Sequence, residues 1–145
     1  MIVTLKAIKI ARHLSEETTA FTANVYIDGK KAGQVRNGGT GGPNEYYWED
    51  RPAGLKFEAH AKTQFPDAYE PDDSLIGRLL DKHDEEQWFK RQRKRAVLWR
   101  IEGDAPDDFR TISLAATKKR PSPPARDEVV KYINEKYGEK IIEIH

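Results

Sequence analysis

Phe21, Ala23, Val25 and Ile27 alternate with Thr22, Asn24 and Tyr26, and the run ends in Asp28-Gly29. A period of two puts four apolar side chains on one face of a β-strand and leaves polar ones on the other. Asp-Gly accepts the positive φ values of a two-residue turn, so Lys30 to Asn37 must return as the next strand, with Val35 inward. A chain with this signature builds a half-buried antiparallel sheet. Upstream, Ile2 to Ala11 is rich in β-branched residues, but Val3, Leu5 and Ala7 follow one alternation while Ile8 and Ile10 follow the other. That switch predicts a bulge or a strand buried on both faces.

Further along, Leu55 to Phe65 fits a period of two through Leu55, Phe57, Ala59, Ala61 and Phe65, yet its Ala, Lys and Glu content favours helix, and helix is the reading taken. Pro66 to Asp73 has two prolines and four acids and reads as a solvated connection, with Asp72, Asp73 and Ser74 as caps for a longer helix. Leu75, Ile76, Leu79 and Leu80 give that helix its apolar stripe, and Glu86 precedes Lys90 in the favourable i,i+4 order. Ala96 to Ile101 and Phe109 to Ala116 read as strands joined through Gly103 and Pro106, a second hairpin. Val129, Val130, Ile133 and Tyr137 stripe a last helix, capped by Ser122 and stopped by Gly138, and Ile141, Ile142 and Ile144 close the chain as a strand. The expected class is α+β. A single domain over 1–145 carries an antiparallel sheet of about five or six strands, with hairpins 19–37 and 95–116, packed against two or three helices. Residues 117–124, with three prolines, form an internal linker before the last helix.

Composition narrows the functions such a chain can have. Twenty-five basic residues against 24 acidic ones leave a net charge of +1, so any attraction to an anionic partner must come from a local patch. The absence of cysteine excludes disulfides, thiol nucleophiles and thiolate zinc sites and suits a reducing compartment. No apolar run reaches the roughly 18 residues of a membrane helix, and Met1 to Lys6 has no signal-peptide pattern, so a cytoplasmic protein without membrane contact is expected.

Two stretches stand out as candidate sites. Asn37-Gly38-Gly39-Thr40-Gly41-Gly42-Pro43-Asn44 concentrates four of the ten glycines and is followed by Glu45-Tyr46-Tyr47-Trp48. Amides in such a loop can converge on a phosphate, but neither GxGxxG nor GxxxxGK[ST] is matched, and three aromatics after Pro43 make a poor helix start. A loop that positions Tyr46, Tyr47 and Trp48, with Asn37, Gly38, Gly39 and Thr40 beside them, for a protein partner is the preferred functional reading, against a purely structural loop. The second stretch is Lys90, Arg91, Arg93, Lys94 and Arg95, with Trp88 and Phe89 before it and Trp99 after. Bases interleaved with aromatics suit a phosphate backbone and stacked nucleobases, although a solvated helix end would look the same. His13, His60, His83 and His145 are dispersed, and none stands in a metal-ligand spacing. Glu58 and His60 would share a side only if their segment were a strand. Ser15, Ser74, Ser113 and Ser122 lie outside any nucleophile elbow. Neither a catalytic set nor a cofactor is indicated.

Leu14-Ser15-Glu16-Glu17-Thr18-Thr19-Ala20-Phe21, then Asp28-Gly29-Lys30, then Asn37-Gly38-Gly39-Thr40-Gly41-Gly42, resembles a group of uncharacterised small proteins of bacteriophages, prophages and mobile elements. The likeness covers residues 4–48 and, loosely, Phe89-Lys90-Arg91 and the strand after it. The position of Thr40 is often histidine in that group, which argues against a catalytic histidine in this loop. No activity comes with the resemblance. It implies a product in a bacterial host cell that works by binding a host or phage macromolecule. Taken with the residues, the order is a protein partner first, with nucleic acid at residues 90–95, inhibition of bacterial defence and, last, an enzyme binding a phosphorylated ligand at the glycine loop as alternatives.

Overall fold

A computed structural model describes residues 1–145. The class is α+β: three helices and two sheets, antiparallel throughout. Seven strands are shared between sheets of four and three instead of lying in one sheet of five or six. Alternation fixes which face a strand buries but not which partners it meets. The chain forms two compact units, Met1–His83 and Asp84–His145.

The first unit is a four-strand meander, β1 (Val3–Ile10), β2 (Phe21–Ile27), β3 (Lys30–Asn37) and β4 (Glu45–Trp48), in the order β1-β2-β3-β4. Asp28 and Gly29, at φ +49 and +82, form the turn between β2 and β3. The bulge expected in β1 is present: the register with β2 shifts between Lys6 and Lys9, and Ala7 sits at φ +52. One extra residue there lets Val3 and Leu5 before it, and Ile8 and Ile10 after it, face the same core. That core joins Phe21, Ala23, Val25, Ile27, Ala32 and Val35 of the sheet to Phe57 and Ala61 of α1 (Arg51–Gln64) and to Leu75, Ile76 and Leu80 of α2 (Pro71–Arg93).

Helix α1 begins four residues earlier than Leu55, because Asp50 accepts from the Ala53 amide (3.1 Å) and Pro52 fits the first turn. With that segment helical, Glu58 and His60 are two residues apart on a helix and do not share a face. Helix α2 likewise starts at Pro71, whose fixed φ suits a first helical position, so Asp72, Asp73 and Ser74 lie inside its first turn instead of capping it.

In the second unit β5 (Ala96–Ile101) is central, flanked by β6 (Arg110–Ser113) and β7 (Ile141–Ile144). Val97 and Trp99 pack with Val129 and Ile133 of α3 (Arg126–Tyr137). Also in this unit, Phe89 meets Phe109 and His145 at ring separations of 4.9 Å. Helix α3 follows Ala125 with no side-chain cap, so Ser122 is not its cap; Ser122 lies three residues too early to reach the first free amides. Residues 117–124 contain no regular element, although Thr117 and Arg120 exchange backbone hydrogen bonds (2.9 and 3.1 Å).

The β5–β6 connection is tied by Asp104, which accepts from the Ile101 amide (3.1 Å) and from both Nε (2.9 Å) and Nη2 (3.1 Å) of Arg110. The Arg110 guanidinium, followed by the Ile101 amide, holds the Asp104 carboxyl well below the usual range, at about 2. A carboxyl depressed on folding adds stability that is complete above its ordinary pKa and is lost as pH falls toward the folded value. Thermal melts of wild type and Asp104→Asn between pH 5 and pH 2 are therefore expected to converge at the acid end, the wild type losing an advantage that the variant never had. Parallel melting curves across that range would show that the pair contributes nothing.

Candidate functional site

The glycine loop connects β3 to β4, and most of its polar groups are used internally. Asn37 accepts from the Gly39 amide (2.8 Å) and from the Thr18 hydroxyl (2.8 Å), and donates to the Gly42 carbonyl and to Asn44, both at 3.0 Å. The Gly41 amide donates to Thr18 Oγ1 (3.3 Å). In return the amides of Glu16, Glu17 and Thr18 converge on the Gly39 carbonyl (3.0, 3.0 and 3.4 Å). Residues 14–18 and 37–42 are thus one interlocked structure. Gly39 is buried at φ +83, and a Cβ there would run into the Leu14 carbonyl and the Ala20 methyl, so only glycine fits.

On the far side, Asp73 at the start of α2 accepts from the Asn44 amide (3.0 Å) and from the Tyr46 hydroxyl (2.7 Å). Burial, more than Asp73, pushes the Tyr46 phenol far above its ordinary pKa. A concavity of about 320 Å³ lies beside Gly41 and Gly42, but its charged lining is Glu70 and Asp73, the wrong sign for a phosphate. Desolvation, then Asp73, raises the Glu70 carboxyl. The Gly39, Gly41 and Asn44 amides are held by Asn37, Thr18 and Asp73, so these three are not free to cradle an anion.

The aromatics after the loop do not form a shared surface. Tyr46 stacks on Trp48 (5.9 Å), and both rings pack against Phe57 of α1 (5.9 and 5.2 Å). Gly54 admits the Trp48 indole against the helix, since a Cβ there would lie 2.6 Å from its ring. Tyr47 alone points the other way and is exposed. Thr40 and Gly38 are exposed at the loop tip, and Asn37 is half-buried.

Tyr47 belongs to the face of the four-stranded sheet that no helix of this unit covers, and the register shows what shares it. Lys9 is opposite Thr22 and Thr22 opposite Arg36, which in turn faces Glu45; one row along, Lys6 is opposite Asn24, Asn24 opposite Gln34 and Gln34 opposite Tyr47. Lys9, Thr22, Asn24, Gln34, Arg36 and Tyr47 of these rows line a shallow concavity of about 510 Å³. The Lys6 ammonium sits 4.3 Å from the Tyr26 ring centroid, and the Arg36 guanidinium 5.9 Å from that of Tyr47. Arg36 also pairs with Glu45 (2.8 Å), which accepts from the Tyr47 hydroxyl (3.0 Å). Each ion of that pair favours the charged form of the other: the Arg36 pKa is raised, and the Glu45 pKa is lowered by Arg36 first and Tyr47 second. Lys6 and Lys9 have no carboxylate partner.

In the second unit, Lys90, Arg91 and Arg93 end α2, and Lys94 and Arg95 occupy the turn before β5. All five are exposed, and none forms an ion pair. Trp88, 39% exposed, lies one turn back, 5.0 Å from Phe89 and 6.2 Å from Phe109. Trp99 is buried against Tyr137 (5.9 Å) and takes no part in this surface.

The four histidines are dispersed, and no three His, Asp or Glu side chains converge as a metal site. No helix is long and apolar enough to cross a membrane. No protein-family model, curated protein or solved structure matches the chain. Sequence reasoning missed the sheet-face rows, although their signal was present: the polar half of each alternation, Lys6 and Lys9, Thr22 and Asn24, Gln34 and Arg36, is the set that lines them.

Proposed function

We propose that this protein is a non-enzymatic nucleic-acid-binding module whose principal contact surface is the open face of the four-stranded sheet. The observation that carries this reading is the composition of the two cross-strand rows. Cations (Lys6, Lys9, Arg36), hydroxyl and amide groups (Thr22, Asn24, Gln34) and the Tyr47 phenol are interleaved there, with Glu45 as the single acid and without one large aliphatic side chain; a second phenol, Tyr26, lies beside the rows under Lys6. Protein-binding surfaces centre on apolar anchors and are depleted in lysine. A phosphodiester chain instead asks for cations, hydrogen-bonding groups and flat rings. The unpaired bases of residues 90–95 supply a second surface of the same chemistry in the other unit, with Trp88 as its exposed ring.

Two features draw the reading away from a protein partner at residues 37–48. Tyr46 and Trp48 are spent on the core with Phe57, and the loop is cross-bonded to residues 16–18. Binding of host or phage nucleic acid also suits the mobile-element setting implied by the pattern of residues 14–42.

The test is fluorescence anisotropy with labelled mixed-sequence DNA and RNA at about 50 mM salt, where phosphate contacts are strong. Saturable binding is expected. It should weaken in Lys6→Glu with Lys9→Glu, two exposed positions whose reversal leaves the core intact. Absence of binding to every nucleic acid, or full binding by the charge-reversed variant, would refute the proposal for this face.

A further inference from the structure

Resting on that reading, we infer that the sheet face takes a single strand, with a base laid on Tyr47 and phosphates on the neighbouring cations, and does not read a duplex. Width decides first. Strands about 4.8 Å apart put the outer two of a four-stranded sheet about 14 Å from one another before side chains are added. The B-DNA major groove is about 12 Å wide and admits a helix or a two-stranded ribbon. The rows from Lys9 to Glu45 and from Lys6 to Tyr47 each cross all four strands, so the whole surface cannot enter the groove. A duplex would meet only part of it, by its backbone.

The placement of rings and cations points the same way. Tyr47 is 53% exposed on the sheet surface, with Arg36 beside its ring, whereas the half-buried Tyr26 has its face taken by the Lys6 ammonium and holds that cation in place. A ring that lies on a sheet with a cation beside it offers a stacking surface for an unpaired base and a charge for the phosphate next to it. In a duplex the base faces are already stacked on one another, and this arrangement would have nothing to hold. Asn24 and Gln34, adjacent in the middle of the row between Lys6 and Tyr47, present amides that can pair with the edge of a splayed base. Glu45, at the β4 edge, bounds the face: it pairs with Arg36, and its carboxylate disfavours a phosphate placed beyond it.

The experiment compares a labelled single strand of about 16 nucleotides, the upper end of the site sizes of single-strand-binding folds, with the duplex of the same sequence, on the 145-residue protein. Tyr47→Ala and Tyr47→Phe are measured alongside. The single strand should bind more tightly than the duplex, Tyr47→Ala should weaken it by about 5- to 150-fold, and Tyr47→Phe, which keeps the ring and loses only the hydroxyl, should bind as wild type does. Equal or tighter duplex binding would overturn the single-strand assignment while leaving the nucleic-acid reading in place. Single-strand binding indifferent to Tyr47→Ala would overturn the stacking platform. Failure of both probes to bind would remove the inference together with the reading beneath it. Circular dichroism of Tyr47→Ala confirms folding, which is expected because the side chain is exposed.

Discussion

Phe57→Ala is expected to destabilise the protein by about 3–5 kcal/mol, the largest single-residue effect foreseen for this fold. Phe57 has no solvent-exposed surface and is where the first unit closes: Tyr46 and Trp48 of β4 rest on its ring, and β2, β3, α1 and α2 all contribute to the same core. Removing the ring loses its transfer free energy and leaves a cavity that two flat aromatic neighbours cannot readily fill. A small domain has only about 5–15 kcal/mol in total, so the variant should lose much of its margin. Urea unfolding followed by circular dichroism reads this as a lower midpoint with unchanged slope. A loss below about 1 kcal/mol would mean that the β4 aromatics do not depend on α1 as described. The same result bears on the candidate site, because Tyr47 is held on the outer face by the inward packing of the residues on either side of it.

Local chemistry made part of this architecture legible. Asp28-Gly29 announced its turn, and the switch of alternation in β1 announced a bulge, because each is a conformational demand met within a few residues. Helix starts were harder to place. Asp72, Asp73 and Ser74 resembled caps, but Pro71 already occupied a position that a proline tolerates. Strand β4 passed as an aromatic cluster, since Tyr46 and Tyr47 look alike in sequence although one is inward and the other outward. The division into two sheets depends on which strands pair across long separations, and no short window contains that information. The candidate face failed to emerge for the same reason. Lys9 and Arg36 are far apart in the chain and meet only because β2 lies between β1 and β3, with Thr22 opposite both.

Binding to a single strand is expected to fall steeply with salt, and the slope should count the cations that touch phosphate. Each neutralised phosphate on a single strand contributes about 0.7 to the slope of log K against log salt. Lys6, Lys9 and Arg36 together then give a slope of about −2, or roughly a 20-fold loss between 50 and 200 mM salt. If the five bases of residues 90–95 also engage, they add about −3.5, a further loss of roughly 130-fold. The two surfaces can therefore be separated without knowing how the units are arranged. Lys6→Gln, Lys9→Gln and Arg36→Gln combined should flatten the slope by about 2, and neutralising Lys90, Arg91, Arg93, Lys94 and Arg95 by about 3.5. Within the first set the lysines should contribute most, because Arg36 is already committed to Glu45 at 2.8 Å. Anisotropy titrations at four salt concentrations give the slopes directly. A wild-type slope near zero with binding intact would mean that the contacts are not to phosphate, and the cations on the sheet face would then have no part in recognition.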